Sequence, residues 1–385
     1  MAASEASRIF EPTMKTVHHP LIQGTPGARL ELASLHYGTP GAGPKATLQA
    51  ALHADEIPGL LVAHHLRSRL SALEAAGRIA GEVVLVPVAN PIGLGQRVLQ
   101  AVEGRFELAS GENFNRHYAD LFDAVVAQVD GKLTFDAAHN VALIREALRG
   151  AAHALPERTP LESLRRTLLA LSIDADIVLD LHCDSEAVLH LYTETSAWPQ
   201  VEPLARLAGA QAVLLAEVSG DHPFDEACST PWPRLAAHFG PETPIPPACV
   251  AVTVELRGLA DVSHELAARD ADALVDYLCW QGVITGGPGE LPAARCEPTP
   301  LAGSIPVNAP HGGVVAYVRD LGERVVAGDR VADLVEPMTG AVTPLLSPVD
   351  GLFYARETRR FLPAGGTVFR IAGSAALREG KLLTQ

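Results

Sequence analysis

The sequence predicts an α/β protein, in which a mostly parallel sheet carries helices on both faces and a small all-β domain follows it. Three observations predict this. Apolar runs of strand length alternate with helical segments through the first three quarters of the chain. A stretch rich in Gly and Pro then breaks the alternation. Beyond it, short valine-rich segments with frequent glycines repeat themselves.

Residues 1–40 read as a lead-in with short strands, and ATLQAAL (46–52) reads as a buried strand. A helix over 57–77 follows, with Leu60, Leu61, Leu66, Leu70 and Leu73 near helical spacing and Gly77 at its end. VVLVPV (83–88) is a second strand, stopped by Asn90-Pro91. Residues 117–156 read as irregular helix. The next helix opens on Thr159 as N-cap, Pro160 at the first helical position and Glu162 three residues past the cap. Four further apolar runs have strand length, at 176–181, 187–192, 212–218 and 250–256, and a helix over 263–282 follows the last. Runs apolar along their whole length suit a sheet covered on both faces.

The segment ITGGPGELPAARCEPTP (284–300) reads as a linker, giving an α/β domain over 1–290 and a β-domain over 297–385. In the second part GGVVAYV (312–318) matches DGLFYAR (350–356), and VAGDRVADL (326–334) matches PAGGTVFRI (363–371). Two copies of strand, turn and strand give a small β-domain with internal quasi-two-fold symmetry, which resembles a biotinyl/lipoyl-type barrel. A carrier domain of that kind needs a lysine on an exposed hairpin. The lysines are Lys15, Lys45, Lys132 and Lys381, none inside a repeat. The β-domain is therefore expected to pack, cap or oligomerise rather than carry a prosthetic group, and a homo-oligomer is left open.

The formal net charge of -15 disfavours a nucleic-acid partner, because such binding draws on Lys and Arg to neutralise phosphates. Cys183, Cys228, Cys249, Cys279 and Cys296 are odd in number and form no CxxC pair. They suit a reducing, cytoplasmic compartment better than a disulfide framework. The first 19 residues show neither a basic head nor an apolar core of the signal-peptide kind. No run of about 18 apolar residues offers a membrane span.

Four short segments carry candidate chemistry. In His53-Ala54-Asp55-Glu56, between a strand and a helix, a His and a Glu three apart can point at one spot. A Glu there is also favoured by the helix dipole alone. In Asp180-Leu181-His182-Cys183-Asp184, His182 ends an apolar strand, where ligands of open α/β sheets gather. Two His and one Glu form a known catalytic zinc set with an open fourth position. The Cys183 side chain should point away from that of His182 if the strand continues, which makes it a core cysteine rather than a ligand. In Val252-Thr253-Val254-Glu255-Leu256-Arg257, a carboxylate in so apolar a strand needs a reason. Either it faces the chemistry or it pairs with Arg257. In Asn113-Phe114-Asn115-Arg116, with Arg105 upstream, a guanidinium beside an Asn can grip a carboxylate. A surface arginine on a solvated loop is the plain alternative. His64, His65, His190, His222 and His264 are read as structural.

HxxE, then Asn90-Pro91, then an arginine, then NFNR, then DLHCD, then VTVELRG is an order that resembles the zinc carboxypeptidase superfamily. More narrowly, it is similar to the succinylglutamate desuccinylase/aspartoacylase family. The resemblance covers roughly residues 45–280 and extends to the C-terminal β-domain, which that family also carries. It implies a zinc carboxypeptidase-like, mostly parallel or mixed sheet. It implies one Zn2+ per chain held by His53, Glu56 and His182, with Glu255 as general base. Arg105 would support the oxyanion, with Arg97 as its competitor because the stretch from Arg105 to Asn115 is longer than in aspartoacylases. Asn115 and Arg116 would bind a substrate carboxylate. The implied activity is hydrolysis of the amide bond of an N-acyl amino acid. The alternatives are a metallocarboxypeptidase acting on small peptides and a non-catalytic binding protein.

Overall fold

The computed structural model describes residues 14–287 and 289–383. The readings of the extreme N-terminus fall on residues 1–13, outside the described residues.

A nine-stranded mixed sheet forms the centre of the fold. Its order across the sheet is Lys15–Pro20, Glu31–Gly38, Glu82–Val86, Lys45–Ala50, Ile177–Asp184, Val250–Gly258, His190–Glu194, Ala212–Ala216 and Thr299–Pro300. The strands Glu82–Val86, Lys45–Ala50, Ile177–Asp184 and Val250–Gly258 run parallel. His190–Glu194 turns antiparallel against Val250–Gly258 and then pairs parallel with Ala212–Ala216. The parallel expectation therefore holds for the central block, and the two flanks make the sheet mixed.

Both faces are covered, as continuous apolar strands require. On one face, helices Pro58–Ala75, Trp198–Ala208 and His264–Trp280 pack Val62, Leu66, Leu204 and Leu274 onto Leu48, Leu179 and Val252. On the other, helices Ala137–His153, Pro160–Ser172 and Pro231–Phe239 bring Ile144, Leu148, Leu164, Leu168 and Trp232 against Val84, Val178 and Ala251.

The local signals resolve in instructive ways. Thr159 caps its helix by accepting from Glu162 N at 3.1 Å, while the Glu162 carboxylate accepts from Arg158 N rather than from the cap residue itself. The irregular stretch 117–156 is two helices, Phe122–Val129 and Ala137–His153, the second capped by Asp136. The expected strand over 187–192 divides. Glu186–Ala187 pairs with Gly351–Arg356 of the C-terminal part, and only from His190 onward does the chain join the central sheet. Val188 N donating to Tyr354 O at 2.9 Å shows which partner won that segment.

The C-terminal segment is all-β, as expected. Gly313–Tyr317 pairs antiparallel with Arg330–Val335 in a four-stranded sheet, and Gly351–Arg356 pairs antiparallel with Thr367–Gly373 in a five-stranded one. The two sequence repeats thus make the same pairing, one in each sheet. They share one core that includes Val315, Val331, Leu334, Phe353, Phe369 and Ile371.

Candidate metal centre

The site grows from the C-terminal ends of two neighbouring strands. After Lys45–Ala50 the chain turns through Ala51 at φ 60° and delivers His53 and Glu56 ahead of the helix Pro58–Ala75. A left-handed non-glycine residue is held there by its surroundings. Asn90, the N-cap of a short helix, donates from Nδ2 to Leu52 O at 2.9 Å and fixes the approach to His53. Gly104 closes the turn from the other side. Its carbonyl accepts from Ala54 N at 3.0 Å, and a Cβ at Gly104 would lie 2.1 Å from Asp55 N.

His53, Glu56 and His182 are buried, and their ligand atoms lie within 4.8 Å of one another. His53 Nδ1 stands 2.8 Å from Glu56 Oε1, and His182 Nδ1 stands 2.7 Å from Glu56 Oε2. The opposite ring nitrogens are both taken up by oxygens. His53 Nε2 lies 2.9 Å from Asn113 Oδ1, and His182 Nε2 lies 2.9 Å from Asp180 Oδ2. With each Nε2 facing outward, each imidazole turns its Nδ1 toward Glu56, which is the orientation a metal ligand needs. The donor set therefore fits a divalent cation such as zinc.

Electrostatics agree with a site built to balance charge. Burial lowers the His53 pKa to about 4, with Arg105 adding to the effect. Burial alone would also lower His182, but Asp180 and Glu56 outweigh it and hold the group well above its usual value. Burial would raise Glu56, but the two imidazoles hold it well below the usual carboxylate range.

Glu255 lies directly across from His182 in the parallel register. Burial pushes its carboxyl up to about 8, and the Glu56 charge contributes. Its Oε2 has no hydrogen-bond partner among the described residues. The alternative of pairing with Arg257 does not hold. Arg257 adopts φ 70° beside an irregularity in the strand and forms a two-point ion pair with Asp270 on the helix His264–Trp280.

Arg105 donates from Nη1 to Glu56 Oε1 at 3.0 Å and stands 3.2 Å from His53 Nδ1. The long stretch between it and Asn115 folds back on itself. Phe106 bridges Asn113, and Phe114 N donates to Arg105 O at 3.1 Å. Arg97 is exposed in the two-residue strand Arg97–Val98. Asn115 and Arg116 are buried beside the cluster. Asn115 Nδ2 lies 3.4 Å from His182 Nε2, its Oδ1 accepts from Phe224 N at 2.9 Å, and Arg116 Nη1 donates to Asn115 O at 2.6 Å. Burial and the nearby Arg105 both lower the Arg116 pKa, while Asp225, Asp221 and Glu226 support its charge. All seven candidate residues therefore converge on one region.

Several contributors carried no assigned role in the sequence. Asp180 has the clearest signal, since it stands two residues before His182 on one strand and so shares its face. Asn113 lies inside the NFNR motif. Gln49, which donates to Asp180 Oδ1 at 3.0 Å, was hidden in an apolar strand. Cys183 packs into the core, and only its backbone N–H reaches the site, donating to Glu56 Oε2 at 3.1 Å. Among the other histidines, His65 and His264 meet each other between the two helices that carry them, at 3.0 Å, away from the ligand set.

Fold and cluster together define a mixed α/β protein with a candidate His–Glu–His metal centre at the strand ends. Residues 42–143 match the family model described as the succinylglutamate desuccinylase/aspartoacylase catalytic domain, a stretch that includes His53, Glu56, Arg105, Asn115 and Arg116. Solved structures match over nearly the whole chain. A protein from Shewanella frigidimarina NCIMB 400, named as a succinylglutamate desuccinylase/aspartoacylase, is 23% identical with a TM-score of 0.82, covering 94% of this chain and 98% of its own. A protein of the same family name from Shewanella amazonensis SB2B is 26% identical with a TM-score of 0.80, covering 93% of this chain and 98% of its own. The product-bound ectoine utilization protein EutE (DoeB) from Ruegeria pomeroyi is 18% identical with a TM-score of 0.68, covering 94% of this chain and 95% of its own. No curated relative matches the chain. The resemblance to the succinylglutamate desuccinylase/aspartoacylase family that the motifs carry is borne out. Among the described residues, no helix is long and apolar enough to cross a membrane.

Proposed function

We propose that the protein is a zinc-dependent hydrolase that cleaves the amide bond of an N-acyl amino acid. The observation that carries this reading is the convergence of two inward-facing Nδ1 atoms and the Glu56 carboxylate, with half-buried Glu255, whose Oε2 is shielded from solvent, opposite His182. An amide is a poor electrophile and water a poor nucleophile. His53, Glu56 and His182 would hold a zinc ion, which would supply Lewis acidity toward both.

The chain's own residues do the rest. Glu255 accepts a proton from the attacking water and returns it to the leaving amine. Arg105 supplies positive charge to the carbonyl oxygen as it becomes an oxyanion. Arg116, positioned through Asn115, binds the carboxylate of the amino-acid part and fixes its register. The products are a carboxylic acid and an amino acid. In this reading residues 1–290 form the catalytic domain, and 297–385 form a barrel-like β-domain beside it. The five cysteines, all free, suit work in the cytoplasm.

The test is a metal measurement joined to a substrate panel. The purified protein should carry one zinc per chain and hydrolyse a member of a panel of N-acyl amino acids. Removal of the metal should stop turnover and re-addition should restore it. Hydrolysis confined to peptides would replace the deacylase reading with a carboxypeptidase. Failure to bind any divalent metal would overturn both.

A further inference from the structure

The last described residues of the chain run back to the loop that braces the NFNR corner. Leu377 N and Arg378 N both donate to Ala302 O, and Arg378 reaches Ser304 O and Leu382 O with its guanidinium. From there Leu382 N and Leu383 N donate to Ser219 O at 2.8 and 3.2 Å, and Lys381 Nζ lies 2.5 Å from Asp221 Oδ1.

The loop so gripped has an unusual backbone. Gly220, Asp221 and His222 stand in succession at φ 113°, 59° and 48°. Glycine adopts such values freely, but L-residues rarely do, and the successive pair Asp221 and His222 persists only where the surroundings over-determine it. The tail is part of those surroundings. A Cβ at Gly220 would lie 3.2 Å from Lys381 Cα, so tail and loop are in close contact. From inside, Glu226 Oε1 accepts from Ser219 N at 2.6 Å.

What the loop holds is the carboxylate-binding corner. Asp221 O accepts from His117 N at 2.7 Å and His222 O accepts from Tyr118 N at 3.0 Å. His117 is itself left-handed, at φ 59°, directly after Arg116. Two residues past the loop's bend, Phe224 N donates to Asn115 Oδ1 at 2.9 Å. An unbroken series of contacts thus joins Lys381–Leu383 to Asn115 and Arg116. Charge gives it a second effect. Asp221 is within electrostatic reach of Arg116, and Lys381 holds that carboxylate at the surface.

The geometry points to the C-terminal tail as a positioning element for substrate affinity: Lys381, Leu382 and Leu383 hold the 219–223 loop so that Asn115 and Arg116 present a fixed site to the substrate carboxylate. This rests on the deacylase reading for the identity of the ligand, though not for the mechanical link.

The test compares the full chain with a chain ending at Ala376, with Lys381→Glu and with Lys381→Arg. Hydrogen–deuterium exchange is read at the amides of His117, Tyr118 and Phe224. KM and kcat are read on an N-acyl amino acid and on its carboxamide, with metal content measured throughout. The shortened chain should exchange faster at those three amides. Its KM for the acid should rise about tenfold, in keeping with the large effect of small misplacements in bound geometry, while kcat and metal content stay within about twofold. Lys381→Glu should follow it in part, and Lys381→Arg should behave as the full chain. Unchanged exchange at the three amides in both the shortened chain and Lys381→Glu overturns the proposal. So does a rise in KM that is equal for acid and carboxamide. If the full chain shows no preference for the acid, the deacylase reading fails, and the exchange data still judge the tail.

Discussion

His182 and Asp180 stand two residues apart on one strand, and the imidazole Nε2 lies 2.9 Å from the fully buried Asp180 carboxylate. That contact fixes which nitrogen of His182 faces Glu56. A carboxylate behind a metal-binding imidazole orients the ring and raises its basicity, and removing such a partner typically costs about 10–100-fold in metal affinity.

Asp180→Asn should therefore weaken metal binding by about that factor, 10–100-fold, while leaving the ligand set in place. His182→Ala should remove the metal at ordinary concentrations. Competition against a chelator of known affinity measures both. Equal affinity in wild type and Asp180→Asn would show that Asp180 only fills space, and full metal content in His182→Ala would refute the ligand assignment.

Glu255→Gln should keep the metal and the fold and lose about 10²–10⁴ in turnover, because an amide cannot accept the proton. The neutral side chain is nearly isosteric, and burial already disfavours the Glu255 charge, so stability should not fall. Turnover and thermal unfolding of the metal-loaded variant check the two halves separately. Near-normal turnover would remove Glu255 from the chemistry.

Much of this site was legible in the sequence, for a physical reason. Side chains that converge on one spot of such a sheet are confined to strand ends and to the turns after them, so His53, Glu56 and His182 stand out against apolar runs. Glu255 was visible as a charge in an otherwise apolar strand. Its partner was not, because the contact of Arg257 with Asp270 depends on a strand irregularity and a left-handed residue that leave no pattern. The division of residues 186–194 between two sheets was equally hidden. The run AVLHLY (187–192) reads as one continuous segment, and only the C-terminal strand Gly351–Arg356, far along the chain, decides where Ala187 goes. The link from Lys381 to Asp221 is of the same kind, joining residues 160 positions apart through a loop with no motif.

Glu226 gives a pH signature that is read in stability rather than in turnover. Burial, reinforced by Asp225, raises its carboxyl to about 7. A carboxyl raised in the folded state binds its proton more tightly folded than unfolded. Its contribution is therefore neutral below the unfolded value near 4.5, and stability is lost as pH climbs from there to about 7. Glu226→Gln should remove that loss while its amide oxygen still accepts from Ser219 N. The variant should gain roughly 1–3 kcal/mol at pH 8 and nothing at pH 4. Denaturant unfolding at the two pH values checks it, and equal gains at both would exclude ionisation as the cause.

In the proposed function, substrate specificity rests on Arg116. It is buried, it draws support from Asp225, Asp221 and Glu226, and Arg105 lies within its electrostatic reach. Like charges within electrostatic reach of one another repel, and a bound anion relieves the repulsion. A substrate carboxylate can serve as that anion, and the planar fork of Arg116 matches its two oxygens. Replacing the carboxylate with a carboxamide should cost roughly 2–5 kcal/mol in kcat/KM, as for other truncated buried charge pairs. Arg116→Ala should lose a similar amount on the acid and little on the amide. The four rates, acid and amide on wild type and variant, form a cycle whose coupling isolates the pair. Strong coupling places the carboxylate on Arg116. If wild type hydrolyses acid and amide equally well, Arg116 does not read the carboxylate, and its charge serves the fold around Asp225 and Glu226 instead.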